Sequence, residues 1–368
     1  MDAERRLRPG LPLLLTGMLV VGACGRSGPA PTAPAVPPAA GSGAAAEARV
    51  DSGPAAEATT VPLERLRITF PAAIALYAPL YVAFAEGFFR RHGLDVDLAY
   101  VDVNVSSPAL LSGEIDAMFS SGQLAVSMGA AGSDVVLLGC LDNVSSDYVI
   151  MAQPNLRGVT ELRDKLIGVG HPADMSVGYL AVVLERHGLS LNDVQFRGLG
   201  GQAERRAALE SRLVDSVILS APHDSMLERD GFSRVLNVVD LRLPAAGRCV
   251  VSTRRNLAAR RPALEGVVKA IVEAEHFVKT QPERTMAVMS QYSKEENPET
   301  LRLLWQSIAP WGAKVPLVSL EGLRFQAAFT ATVSNAPQIR EFDVASMVDE
   351  SIVRELERSG FIEKVYAP

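Results

Sequence analysis

The feature that most restricts the fold is an internal echo. GEIDAMFSS at 113–121 is matched by RLVDSVILS at 212–220, each reading as a helix end, a turn, an aspartate, a short apolar strand and a serine. RLRITF at 65–70 is matched by KLIGVG at 165–170, and RHGLDV at 91–96 by RHGLSL at 186–191. The offsets are 99, 100 and 95 residues, in the same order along the chain. Three echoes in one order imply a repeated unit. Each unit alternates strand and helix, which requires a mainly parallel sheet with helical crossovers. The expectation is an α/β protein of two lobes, the first over 64–150 and the second over 151–246. The apolar strands DYVIMAQ (147–153) and GRCVVST (247–253) flank the second unit and read as a double crossing, a hinge that bends without swivelling freely. Residues 247–368 then supply a return strand and helices that complete the first lobe. ALEGVVKAIVEAEHFVKT, PETLRLLWQSI and DESIVRELERSG carry the helical period.

Parallel strands of this kind are buried on both faces and bind ligands at their carboxyl edges. The first unit offers Tyr77 after its first strand, Ser120, Ser121 and Gln123 after the third, and Asn143 and Tyr148 farther on. The second offers Asp174, Ser176 and Tyr179, then Gln202, then Ser220 and His223. Hydroxyls, amides and helix starts fix a small polar molecule without reacting with it. The register of the repeat aligns Asp116 with Asp215 and Ser121 with Ser220. Ser120, Ser121 and Gln123 are therefore expected to face Ser220, His223 and Gln202 across a cleft. Ser121→Ala and Ser220→Ala should weaken ligand binding with little change in melting temperature. The two aspartates fall at the far ends of their strands and read as turn residues. Each serine is also a candidate helix N-cap.

Catalytic signals are weak, and no catalytic residue is assigned. His92 and His187 sit at helix ends and His276 within a helix, so only His171 and His223 lie in candidate cleft loops. No spacing organises a metal site around either. GLGG at 198–201 lacks the lysine of a phosphate cradle. Trp305 and Trp311 read as core, with Trp311 a lesser candidate for the cleft.

The N-terminus is set apart from the fold. Arg5, Arg6 and Arg8 precede an apolar run from Leu11 to Val21, then Gly22, Ala23 and Cys24. This is an export signal over 1–24, too short to span a bilayer. VGAC resembles a bacterial lipobox, which makes Cys24 a lipidation candidate; an ordinary signal peptide with a chance cysteine is the alternative. Residues 25–63 are rich in Pro, Ala, Gly and Ser and read as a disordered tether. Outside the cytoplasm Cys140 and Cys249 can pair, closing a loop of roughly 100 residues; two buried thiols fit the sequence equally well. The net charge is -6 in 368 residues. No basic block is present, which argues against a nucleic-acid partner.

APLYVAFAEGFFRRHGLDVDL, ALLSGEIDAMFSS, GVTELRDKLIGVG and PALEGVVKAIVEAEHFVKTQPE, in that order, resemble the substrate-binding proteins of the nitrate/sulfonate/taurine type, the SsuA/THI5-like or NMT1 family. The resemblance covers roughly 64 to 310. It implies a bilobal type II periplasmic-binding-protein fold, a small-molecule ligand, no cofactor, a monomer, and delivery to an ABC-transporter permease from the extracytoplasmic side of a membrane. The candidate loops depart from an anion site, carrying Asp142, Asp147, Asp174 and Asp224 with almost no Lys or Arg. Unpaired carboxylates disfavour a buried anion. A neutral or cationic ligand is therefore expected, a pyrimidine-like heteroaromatic among the candidates, with Tyr77, Tyr148 and Tyr179 as π faces. Sulfonate-type anion binding stays open, as does a tethered sensor. The pyrimidine-synthase branch holds a pyridoxal cofactor on a lysine and a histidine, and Lys165, Lys269, Lys279, Lys294, Lys314 and Lys364 all fall outside the candidate loops.

Overall fold

The computed structural model describes residues 62–71, 74–145, 148–171, 175–334 and 336–367. The leader with Cys24, most of the tether, and Asp147 and Asp174 lie outside the described residues.

Among the described residues, ten strands make two five-stranded sheets with the same plan. In the first, β1 (Glu64–Phe70), β2 (Leu94–Tyr100), β3 (Ala117–Ser120) and β4 (Val135–Val144) are joined by a late strand, β10 (Pro244–Thr253). In the second, β5 (Val149–Ala152) accompanies β6 (Leu166–Val169), β7 (Gln195–Gly198), β8 (Ser216–Leu219) and β9 (Ser233–Asn237). The orders are β2-β1-β3-β10-β4 and β7-β6-β8-β5-β9. The fourth strand of each is antiparallel and arrives from the other half of the chain.

The repeat is visible in the pairing itself. Ile68 faces Ala117 as Ile167 faces Ser216. The second pair is offset from the first by 99 residues on both strands, one residue less than the 100 that RLRITF and KLIGVG suggested. Asp116 Oδ2 accepts from the Arg67 backbone N–H at 2.7 Å, and Asp215 Oδ2 from that of Leu166 at 2.9 Å. The two aspartates thus close the amino ends of equivalent strands, as their register implies.

β3 and β8 are buried on both faces, so their side chains alternate between two cores. Ala117 and Phe119 join one cluster with helix Ala78–Ala85 and the long helix Arg254–Thr280, while Met118 joins the other. Arg260 departs from helical geometry inside that long helix, two residues before Pro262, whose ring and missing N–H break the ladder there.

The chain leaves β4 at Val144 and returns at Pro244, and these two residues are neighbours. Ser145 N–H donates to the Leu243 carbonyl at 2.8 Å, so the two passages are stitched together. The strands expected to cross between lobes each belong to one sheet. β5 starts the second sheet at Val149 and β10 rejoins the first at Pro244. Just inside the first lobe Cys140 and Cys249, register partners on β4 and β10, form a disulfide.

Among the C-terminal helices, Leu320–Val333 does more than complete the first lobe. Leu323 and Ala327 enter a first-lobe core, whereas Phe325 and Phe329 pack on the second. The Phe325 ring stacks on Tyr179 at 5.6 Å between centroids. The sequence reads 247–368 as a return strand and helices in general and does not show that two faces of this one serve different lobes. No described helix is long and apolar enough to cross a membrane.

Candidate functional site

A cavity of about 140 Å³ lies where the sheet ends, the hinge and the helix Leu320–Val333 meet. The first lobe contributes Leu76, Tyr77, Ser120 and Ser121; the second contributes Met175 and Tyr179. Val144, Ser145 and Tyr148 come from one hinge passage, and Ala245 to Arg248 from the other. Gln326 closes the remaining side.

Of the residues chosen from sequence, Tyr77, Ser120, Ser121, Tyr148 and Tyr179 line this cavity. Tyr77 is braced edge-on by Phe119 at 5.7 Å, and Tyr148 and Tyr179 lie 5.4 Å apart. Ser120 ends β3 and is buried. The Ser121 hydroxyl caps helix Gly122–Ala130, accepting from Leu124 N–H at 3.3 Å. Gly122 has no room for a side chain, since a Cβ would lie 2.8 Å from both Gln326 Oε1 and the Ala246 methyl.

The other described candidates lie outside the lining. Gln123 is the second residue of its helix. Asn143 lies on β4 between Asp142 and Val144, and strand alternation turns it away from the cavity those two line. Ser176 is fully buried in helix Met175–Arg186. Gln202 and Ser220 engage each other within the second lobe. The Gln202 amide N–H donates to Ser220 Oγ at 2.9 Å, and its Oε1 accepts from Ser220 N–H at 3.0 Å. This pairing uses the groups that the repeat register assigned to the opposite side of the cleft. His223 opens helix His223–Arg229, and burial, then Arg206 and Arg205, lower its pKa. Trp311 does not line the cavity, and the Trp305 indole donates to the Val278 carbonyl at 2.8 Å.

The charge argument changes most. Asp142 is not an unpaired carboxylate: Arg248 meets it from Nε at 2.9 Å and from Nη2 at 2.5 Å. Asp224 is likewise paired, with Arg234 at 3.0 Å. Arg248 was invisible as a site residue because it reads as part of an apolar strand. Its one local signal is a charge following Gly247 between small and β-branched neighbours. It takes a left-handed backbone, φ 46°, where the β10 register on β4 has just shifted. That conformation is costly for a residue with a Cβ, and it persists where surrounding contacts dictate it. Behind Arg248, fully buried Glu275 accepts from Nη1 at 3.3 Å. Desolvation raises the Glu275 carboxyl to about 7, against the opposing pull of Arg248 and Lys279. Among the described residues no cluster of three or more His, Cys, Asp or Glu is arranged to hold a metal ion.

The same architecture recurs in known structures. The periplasmic aliphatic sulphonate binding protein SsuA from Escherichia coli superposes with a TM-score of 0.66 at 19% identity, over 79% of this chain and 99% of that one. SsuA from Xanthomonas axonopodis pv. citri, bound to MOPS, gives 0.62 at 21%, over 78% and 99%. The periplasmic nitrate-binding protein NrtA from Synechocystis PCC 6803 gives 0.56 at 14%, over 81% and 89%. Likeness at this identity establishes the fold, the two-lobed binding-protein architecture. No curated protein sequence matches the chain. The NMT1/THI5-like family model matches residues 75–285, from the first cavity-lining turn through β2 to β10 and the disulfide to just past the long helix Arg254–Thr280. Sheet order, paired hinge and family match agree, and the chain belongs to the NMT1/THI5-like family.

Proposed function

We propose that this protein is an extracytoplasmic solute-binding protein that holds a small uncharged molecule between its lobes and delivers it to an ABC-transporter permease. The observation that carries this reading is the origin of the cavity wall. Both lobes, both hinge passages and the bridging helix contribute to it. A guest that touches all of them has different affinity for open and closed lobes, and that difference drives closure. The ligand's charge follows from the wall, where among the described lining residues Arg248 and Asp142 are the charged ones and compensate each other. The argument for a cation loses two of its four carboxylates to internal ion pairs, so neutrality is favoured. Three tyrosines suit a planar, heteroaromatic body.

A binding role is favoured over catalysis and over a cofactor enzyme. The described lining has serine hydroxyls but no histidine, lysine or cysteine to activate or replace them. The Cys140–Cys249 disulfide fits an oxidising compartment. With the VGAC leader it supports a body tethered to the outer side of a bacterial membrane through lipidated Cys24; we propose that this body is a monomer.

The deciding experiment is a thermal-shift screen followed by small-angle scattering with and without the hit. Compaction on binding is expected; an unchanged profile, or turnover of the molecule, contradicts the reading. Mass spectrometry of the native protein should find acylated Cys24. A second reading, an anionic ligand of sulfonate type, rests on Arg248 in the wall and requires the ligand to displace Asp142. Methanesulfonate in the same screen separates the two.

A further inference from the structure

We propose that Ser145 and Gln326 are direct ligand contacts that recognise an uncharged edge carrying a hydrogen-bond donor beside an acceptor, as in a primary amide or a lactam. This rests on the reading of the interlobe cavity as the ligand site.

Both residues line the cavity and are more than nine-tenths buried, at 3% and 4% exposure. Ser145 Oγ and Gln326 Oε1 are each buried without a hydrogen-bond partner. Polar atoms are rarely left so, and two orphans in the wall of one cavity call for a polar guest. The orientation of the Gln326 amide is fixed chemically. The Ala246 carbonyl can only accept, so the atom 3.2 Å from it is the donating Nε2, and Oε1 is left as an acceptor. Ser145 can donate or accept, and its backbone N–H is already committed to Leu243. A ligand N–H facing Gln326 and an acceptor facing Ser145 satisfy both.

The two positions also explain why these residues would be read together. Ser145 sits in a hinge passage, and Gln326 sits on the helix whose Phe325 and Phe329 grip the second lobe. One ligand edge thereby reports to the hinge and to the bridging helix at once.

The test is calorimetry on the full chain with benzamide, a planar ring carrying a primary amide, against benzoate and benzenesulfonate. Benzamide should bind more tightly than either anion. Ser145→Ala and Gln326→Met should each weaken it at least about 5-fold. Tyr179→Ala, which strips the aromatic wall, should weaken it too. Gln326→Glu keeps the shape of the side chain and should shift preference toward benzamidine, the cationic isostere. It decides the Gln326 half if Gln326→Met does not fold. Benzamide binding that depends on Tyr179 but is indifferent to Ser145 and Gln326 overturns this assignment and leaves the cleft reading intact. Failure of benzamide to outbind the anions overturns the ligand class. Binding indifferent to Tyr179 as well overturns the cleft reading itself.

Discussion

Arg248 and Asp142 form a two-point ion pair beneath the interlobe cavity, with side chains 1% and 8% exposed. The pair joins β10 to β4 beside the disulfide, so the same two strands carry a covalent and an ionic tie. Removing one partner of a buried pair leaves a charge without compensation. Arg248→Met or Asp142→Asn should therefore cost about 3–5 kcal/mol in urea unfolding. The double substitution should cost less than the sum of the two. Strict additivity would show that the pair contributes no coupling.

Glu275 gives stability a pH dependence of known sign. Its carboxyl rises from the ordinary 4.5 to about 7, chiefly through burial. Between those values the folded protein holds a proton that the unfolded chain has released. This contribution is full below 4.5 and is lost as pH rises through 7. Glu275→Gln should match the wild type near pH 4.5 and melt at a higher temperature at pH 8. Equal melting curves at pH 8 would refute the assignment.

Ser121→Ala removes a helix cap, and the expectation of an unchanged melting temperature does not survive the geometry. Losing such a cap costs about 1 kcal/mol, to be read as a lowered midpoint in chemical denaturation. Any loss of affinity adds to that. Asp116→Asn leaves a single acceptor oxygen for Arg67 N–H and Arg260 to share, and removes the charge opposite Arg260. It should cost about 1–3 kcal/mol of stability and leave ligand affinity unaltered.

Reduction should unclamp β4 from β10. A native disulfide typically contributes about 2–4 kcal/mol. Reductant, or Cys140→Ala together with Cys249→Ala, should lower the melting temperature. Alkylation of the unreduced chain after unfolding in denaturant should label neither Cys140 nor Cys249; labelling of both would show that the bond is absent.

What the sequence determined by itself was the repeated plan. Helix and strand periods are local, and a duplicated pattern preserves them, so GEIDAMFSS and RLVDSVILS announce equivalent strands and place Asp116 and Asp215 at equivalent turns. The aromatic wall was legible for a similar reason, because Tyr77 follows a strand's carboxyl end and Tyr148 and Tyr179 fall in connections. Contacts between distant segments were not legible. Arg248 and Asp142 are 106 residues apart and meet only because β10 returns beside β4. Gln202 and Ser220 match the register of the repeat, yet their hydroxyl and amide satisfy each other across a short gap rather than reaching the cavity. Gln326 lies beyond both repeats, in a stretch read only as helical, and the sequence does not say what its helix faces. Tertiary structure alone decided these, because a buried polar group takes whichever partner the fold brings within hydrogen-bond reach, and that distance is not encoded in local pattern.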